Sequence, residues 1–65
     1  MKKVTILIRE AFDVADENLH KQLKRLGFQQ QNVFETIGSI EGELPDTSID
    51  SVKDLDAVAW IEIHS

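Results

Sequence analysis

Along this chain the spacing of apolar residues changes from every second position to every third or fourth and back again, twice, and that leaves few architectures open. Val4, Ile6 and Ile8 alternate with Thr5 and Leu7. A β-branched, period-two segment of this kind reads as a strand with one buried face. Ala15, Leu19, Leu23 and Leu26 then fall on one side of a helix. Asp13 or Asp16 can cap its start, since a carboxylate accepts from the free N–H groups of a first turn, and Asp16 and Glu17 suit the positive end of the dipole. Gly27 ends it, because glycine enters the left-handed region without steric cost, and Phe28 can close over Leu23 just beyond.

After the polar connection Gln29-Gln30-Gln31, residues 32–37 and 40–44 read as two strands around Gly38-Ser39, a pair suited to a type II′ hairpin turn. A two-residue loop would set Ile37 opposite Ile40, Glu35 opposite Gly42 and Val33 opposite Leu44 on the core face. Thr36 would then face Glu41, and Phe34 would face Glu43, on the other side. Glu35 is awkward on a core face, and the space over Gly42 is its expected outlet to water. Pro45 and Asp46 open a short second helix with Ile49, Val52 and Leu55 as its apolar stripe. Residues 58–63 make a last strand in which Ile61 and Ile63 point inward and Trp60 and Glu62 outward.

The order βαββαβ in 65 residues fits one domain, residues 1–65, of the α+β class. Right-handed, unthreaded crossovers narrow it to a ferredoxin-like sandwich, a four-stranded antiparallel sheet with two helices on one face. The other face stays open. By strand alternation it carries Thr5, Leu7, Phe34, Thr36, Glu41, Glu43, Trp60 and Glu62. Leu7, Phe34 and Trp60 form an apolar patch of the kind isolated soluble monomers avoid, and tryptophan is a common interface anchor. The candidate interaction surface is therefore Leu7, Phe34, Glu41, Glu43, Trp60 and Glu62.

Composition trims the list of functions. Hydrophobic residues at 42% and charged residues at 29% place the chain among globular domains. It has no cysteine, hence no disulfide, thiolate nucleophile or cysteine zinc site. The apolar stretch Val4–Ile8 is too short for a signal peptide or a membrane span, so a cytoplasmic protein with no membrane partner is expected. The net charge of −5, without a basic and aromatic stripe, argues against nucleic acid.

Catalysis finds no constellation. His20 and His64 lack a serine or cysteine partner in a recognisable motif, and Lys21, Lys24 and Lys53 fall on outward helix positions, where nothing lowers a lysine pKa. Asp46, Asp50 and Asp54 recur along one helix face, but calcium prefers six or more oxygens around a sharp glycine turn. No catalytic residue, metal or cofactor is expected, and the chain reads as a non-enzyme.

The second half, Ile40-Glu41-Gly42-Glu43-Leu44-Pro45 through Ile49, Val52 and Leu55 to Val58-Ala59-Trp60-Ile61-Glu62, resembles the inhibitor I9 family. That family comprises the propeptides of subtilisin-like proteases and their free-standing proteinase inhibitor relatives. The resemblance implies a domain whose open sheet face packs on two surface helices of a protease, with Glu41 and Glu43 near the helix N-termini. It also implies an inhibitory tail after the last strand, which is short or missing where this chain stops at His64-Ser65. The expected function is a small protein-binding module whose partner is a subtilisin-like protease. The second expectation is a homodimer that binds a small ligand between copies, with Gly38 and Gly42 as its only interface glycines.

Overall fold

The computed structural model describes residues 1–64. Its elements run β1 (Lys2–Ile8), α1 (Glu17–Arg25), β2 (Gln29–Phe34), β3 (Ser39–Leu44), a 3-10 turn (Asp46–Ser48), α2 (Ile49–Lys53) and β4 (Val58–His64). The strands form one sheet in the order β2-β3-β1-β4, with each neighbouring pair antiparallel. The alternation in β1 does what period two requires: Val4, Ile6 and Ile8 are buried, and Leu7 between them is exposed. Both helices deliver residues to the cluster these side chains form, Leu19 and Leu23 from α1 and Val52 from α2, joined by Ile40, Leu44 and Ile61 from the sheet. No helix among the described residues is long and apolar enough to cross a membrane.

The first helix begins and ends on side-chain chemistry. Asp16 is the cap, its carboxylate accepting from the Asn18 N–H at 3.1 Å, while Asp13 accepts from the Ala15 N–H one turn earlier. Because the cap is at 16, Ala15 lies outside the helix and is exposed, and Val14 takes the core place expected for it. At the other end the Phe28 N–H reaches the Leu23 carbonyl at 3.0 Å and the Gly27 N–H reaches Lys24 at 3.0 Å, which is the Schellman pairing. Gly27 has φ 91°, and a Cβ there would lie 2.8 Å from Pro45 Cγ. Gly27→Val combines the left-handed penalty with this overlap, so it is expected to cost more than about 1–2 kcal/mol. Chemical denaturation measures it, and an unchanged midpoint would contradict the close seating of this helix end on Pro45.

The hairpin differs from the two-residue turn expected of Gly38-Ser39. Residues 35–38 form a four-residue loop, and Phe34 stands opposite Ser39. The Gly38 N–H donates to the Phe34 carbonyl at 2.8 Å, and Gly38, at φ 76°, takes the left-handed last position of the loop instead of the first. Val33 therefore pairs with Ile40, not Leu44, and Phe34 with Ser39, not Glu43. Glu35, Thr36 and Ile37 leave the sheet for the loop and are exposed, which removes the buried-acid problem at Glu35. β2 starts earlier than expected, at Gln29, with a bulge between Gln30 and Asn32. The space over Gly42 is no outlet, because the Phe28 ring fills it.

The second helix carries the stripe read from the sequence, with Val52 buried and Ile49 and Leu55 partly buried against the core. The last strand corrects one expectation. Ile61 is buried, but Ile63, which stands opposite Val4 on the helix side, stays 42% exposed. β4 is an edge strand and α2 has only five residues, so its far end lacks cover.

Candidate functional site

Strand register turns the face opposite the helices into three rows that cross all four strands. The first row reads Phe34, Ser39, Leu7, Trp60. Ser39 is buried at 5% between two larger neighbours, Phe34 and Leu7 are about two-fifths exposed, and Trp60 is 64% exposed. The second row is Asn32, Glu41, Thr5, Glu62, and the third runs through Gln29, Glu43, Lys3 and His64. All six residues singled out in the sequence, Leu7, Phe34, Glu41, Glu43, Trp60 and Glu62, therefore share one face. Thr36 does not, since it sits in the hairpin loop.

The chemistry of the face is graded along the strands. One end is an apolar band whose large side chains come from β2, β1 and β4, the central position being held by a serine small enough for its neighbours to cover. Toward the other end the acids are oriented by amides: Asn32 Nδ2 donates to Glu41 Oε1 at 3.2 Å, and Gln31 Nε2 donates to Glu43 Oε2 at 3.1 Å. Thr5 Oγ1 and His64 Nε2 are hydrogen-bonded at 2.7 Å across β1 and β4. Lys3, between Glu43 and His64, sets an opposite charge beside Glu43 in the register. Such a face can bury apolar surface against a partner and offer carboxylates to cations or to the free N–H groups of a helix N-terminus.

Compared with family models, curated proteins and solved structures, the chain matches none. The face must therefore be read from its own chemistry.

Other titratable groups are spoken for or dispersed. His20 is half-buried, with its ring nitrogen bonded to the Val14 carbonyl, and the second imidazole belongs to the Thr5 pair. Asp46, Asp50 and Asp54 are exposed, and no group of three or more metal-ligating side chains occurs among the described residues. An open cleft of about 400 Å³ lies where Phe12, Asp16, Leu19 and Gln22 face Leu55 and Ala57. Asp16 is engaged there as the helix cap.

The face also holds Lys3, Gln29, Asn32, Ser39 and His64, which strand alternation in the sequence did not assign to it; Ser39 is hidden because Gly38-Ser39 reads as the turn. Its signal was present but ambiguous: a small polar residue between Gly38 and the strand that begins with Ile40 ends a loop as readily as it forms one.

Proposed function

We propose that this chain is a non-catalytic protein-binding module of ferredoxin-like arrangement that docks a protein partner on its open sheet face. The strand order, with a helix in each connection from β1 to β2 and from β3 to β4, supports the arrangement. The observation that carries the docking is the first row, in which Phe34, Leu7 and Trp60 remain exposed in register across the sheet. Water gains nothing from such a band, whereas a partner that covers it gains roughly 25 cal/mol per Å² of apolar area removed from water. The I9 resemblance names the partner class, a subtilisin-like protease. Two surface helices would cover the apolar row, and Glu41 and Glu43 would meet their N-termini.

Titration of the chain against subtilisin whose active-site serine has been chemically blocked tests this without interference from cleavage. Saturable binding with one chain per protease, at a Kd of about 100 μM or tighter, is expected. Absence of binding across that range would remove the protease from consideration as the partner.

A further inference from the structure

The apolar row of the open face runs across the strands, not along them. Neighbouring strands lie about 4.8 Å apart, so Phe34 and Leu7 stand roughly 10 Å apart over buried Ser39, and Trp60 follows about 4.8 Å beyond Leu7. An α-helix laid along this row offers side chains at similar intervals, about 5.4 Å for one turn and about 10.8 Å for two. The second row lies two residues farther along the strands, about 6.7 Å away, under the flank of a helix about 10–12 Å across. It holds Glu41 on β3 and Glu62 on β4, with Thr5 between them and no cation. The two acids are again two strand spacings apart. We propose that the face takes a second class of partner, a basic amphipathic helix crossing the strands, with its apolar stripe on the first row and two lysines or arginines, two turns apart on one flank, against Glu41 and Glu62. The inference rests on the reading of this face as a docking surface, and not on the protease as its occupant.

Charge complementarity selects this occupant. Glu43 is already matched, since Gln31 donates to it at 3.1 Å and Lys3 stands opposite it in register, so an incoming cation gains more at Glu41 and Glu62. The Asn32 amide orients the Glu41 carboxylate before a partner arrives. A helix lying along the strands would set its flank against Glu41 and Glu43, both on β3, and would leave part of the apolar row uncovered. Crossing the strands covers the whole row, by the one-turn and two-turn anchors that amphipathic helices use. A second copy of this chain does not supply the element. The outward positions of α1 carry Lys21, Lys24 and Arg25, but its Leu19 and Leu23 are buried in their own core, and α2 has only five residues. An anionic lipid surface would meet three carboxylates.

Two helical peptides of about 18 residues, long enough to hold a helix in water, test this. They share one leucine stripe and differ only at two flank positions seven residues apart, lysine in one and glutamate in the other. Trp60 emission follows each titration up to about 1 mM peptide. The lysine peptide should bind one to one and at least tenfold more tightly than the glutamate peptide, a preference that shrinks as salt rises. Glu41→Gln with Glu62→Gln should remove most of the preference. Glu17→Gln with Asp50→Asn, the same change in net charge placed on the two helices, should keep it, and Leu7→Ser should weaken both peptides alike. Equal affinities for the two peptides would overturn the inference, as would a preference that the helix pair of substitutions removes as readily as the face pair. A larger effect of Glu43→Gln than of Glu62→Gln would also overturn it, by setting the helix along β3. Binding of blocked subtilisin with no binding of either peptide would remove the inference and leave the docking face standing, whereas failure of all three would remove both.

Discussion

Gly42→Ala is expected to cost about 3 kcal/mol or more, enough to unfold much of the population of a domain this small. The backbone at Gly42 is ordinary strand, so the cost is one of space. A single Cβ would lie 2.7 Å from Cζ and 2.9 Å from Cε1 of Phe28, and closer still to the carbonyl oxygen of Gln29. The ring belongs to the buried cluster and is anchored by the Schellman cap directly before it, while the carbonyl is part of β2. Neither can yield without opening the β2–β3 pair or the seat of α1. Gly38→Ala is the comparison, since a Cβ there meets only the Ile8 carbonyl, at 3.8 Å, and suffers only the penalty of φ 76°, about 1–2 kcal/mol. Denaturation midpoints of the two variants decide it. Equal losses would mean that Phe28 does not close over Gly42.

Trp60→Ser separates stability from association. A residue 64% exposed empties no core site, so the loss of stability should stay within about 0.5 kcal/mol, far below the ~3–5 kcal/mol of a buried tryptophan. If Trp60 anchors the docked partner, binding to blocked subtilisin should weaken by about 30-fold or more, the equivalent of 2 kcal/mol. Leu7→Ser, its neighbour in the same row, should act in the same direction with a smaller effect. Unchanged affinity in both variants would take the apolar row out of the interface.

The sheet face was legible even though the hairpin was not, and strand geometry explains why. Phe34 faces Ser39 instead of Glu43, a slip of four residues along β3. An even slip keeps every side chain on its own face, so Phe34, Glu41 and Glu43 stay where alternation put them. An odd slip would have inverted them. The loop itself was hidden because Gly38 accepts a left-handed backbone equally well at the first position of a two-residue turn and the last position of a four-residue one. Gly27 carried no such ambiguity, since Phe28 and the leucine spacing before it fix which residue must be the helix end. The exposure of Ile63 was beyond periodicity, which assigns a face to a side chain but not whether a helix extends over it. The rows themselves, and with them the place of Ser39 between Phe34 and Leu7, depend on pairing between strands far apart in the chain, and no local pattern encodes that register.

The most direct test of the open face as a docking surface is the emission of Trp60, the only tryptophan in the chain. In dilute solution, where single chains prevail, the spectrum should lie close to that of free indole in water and be quenched readily by iodide or acrylamide. Saturation with blocked subtilisin should shift it to the blue and protect it from quencher. Blue, protected emission from the dilute chain alone would place the indole in the core and contradict the docking face, as would a spectrum that stays red and quenchable when the partner is bound.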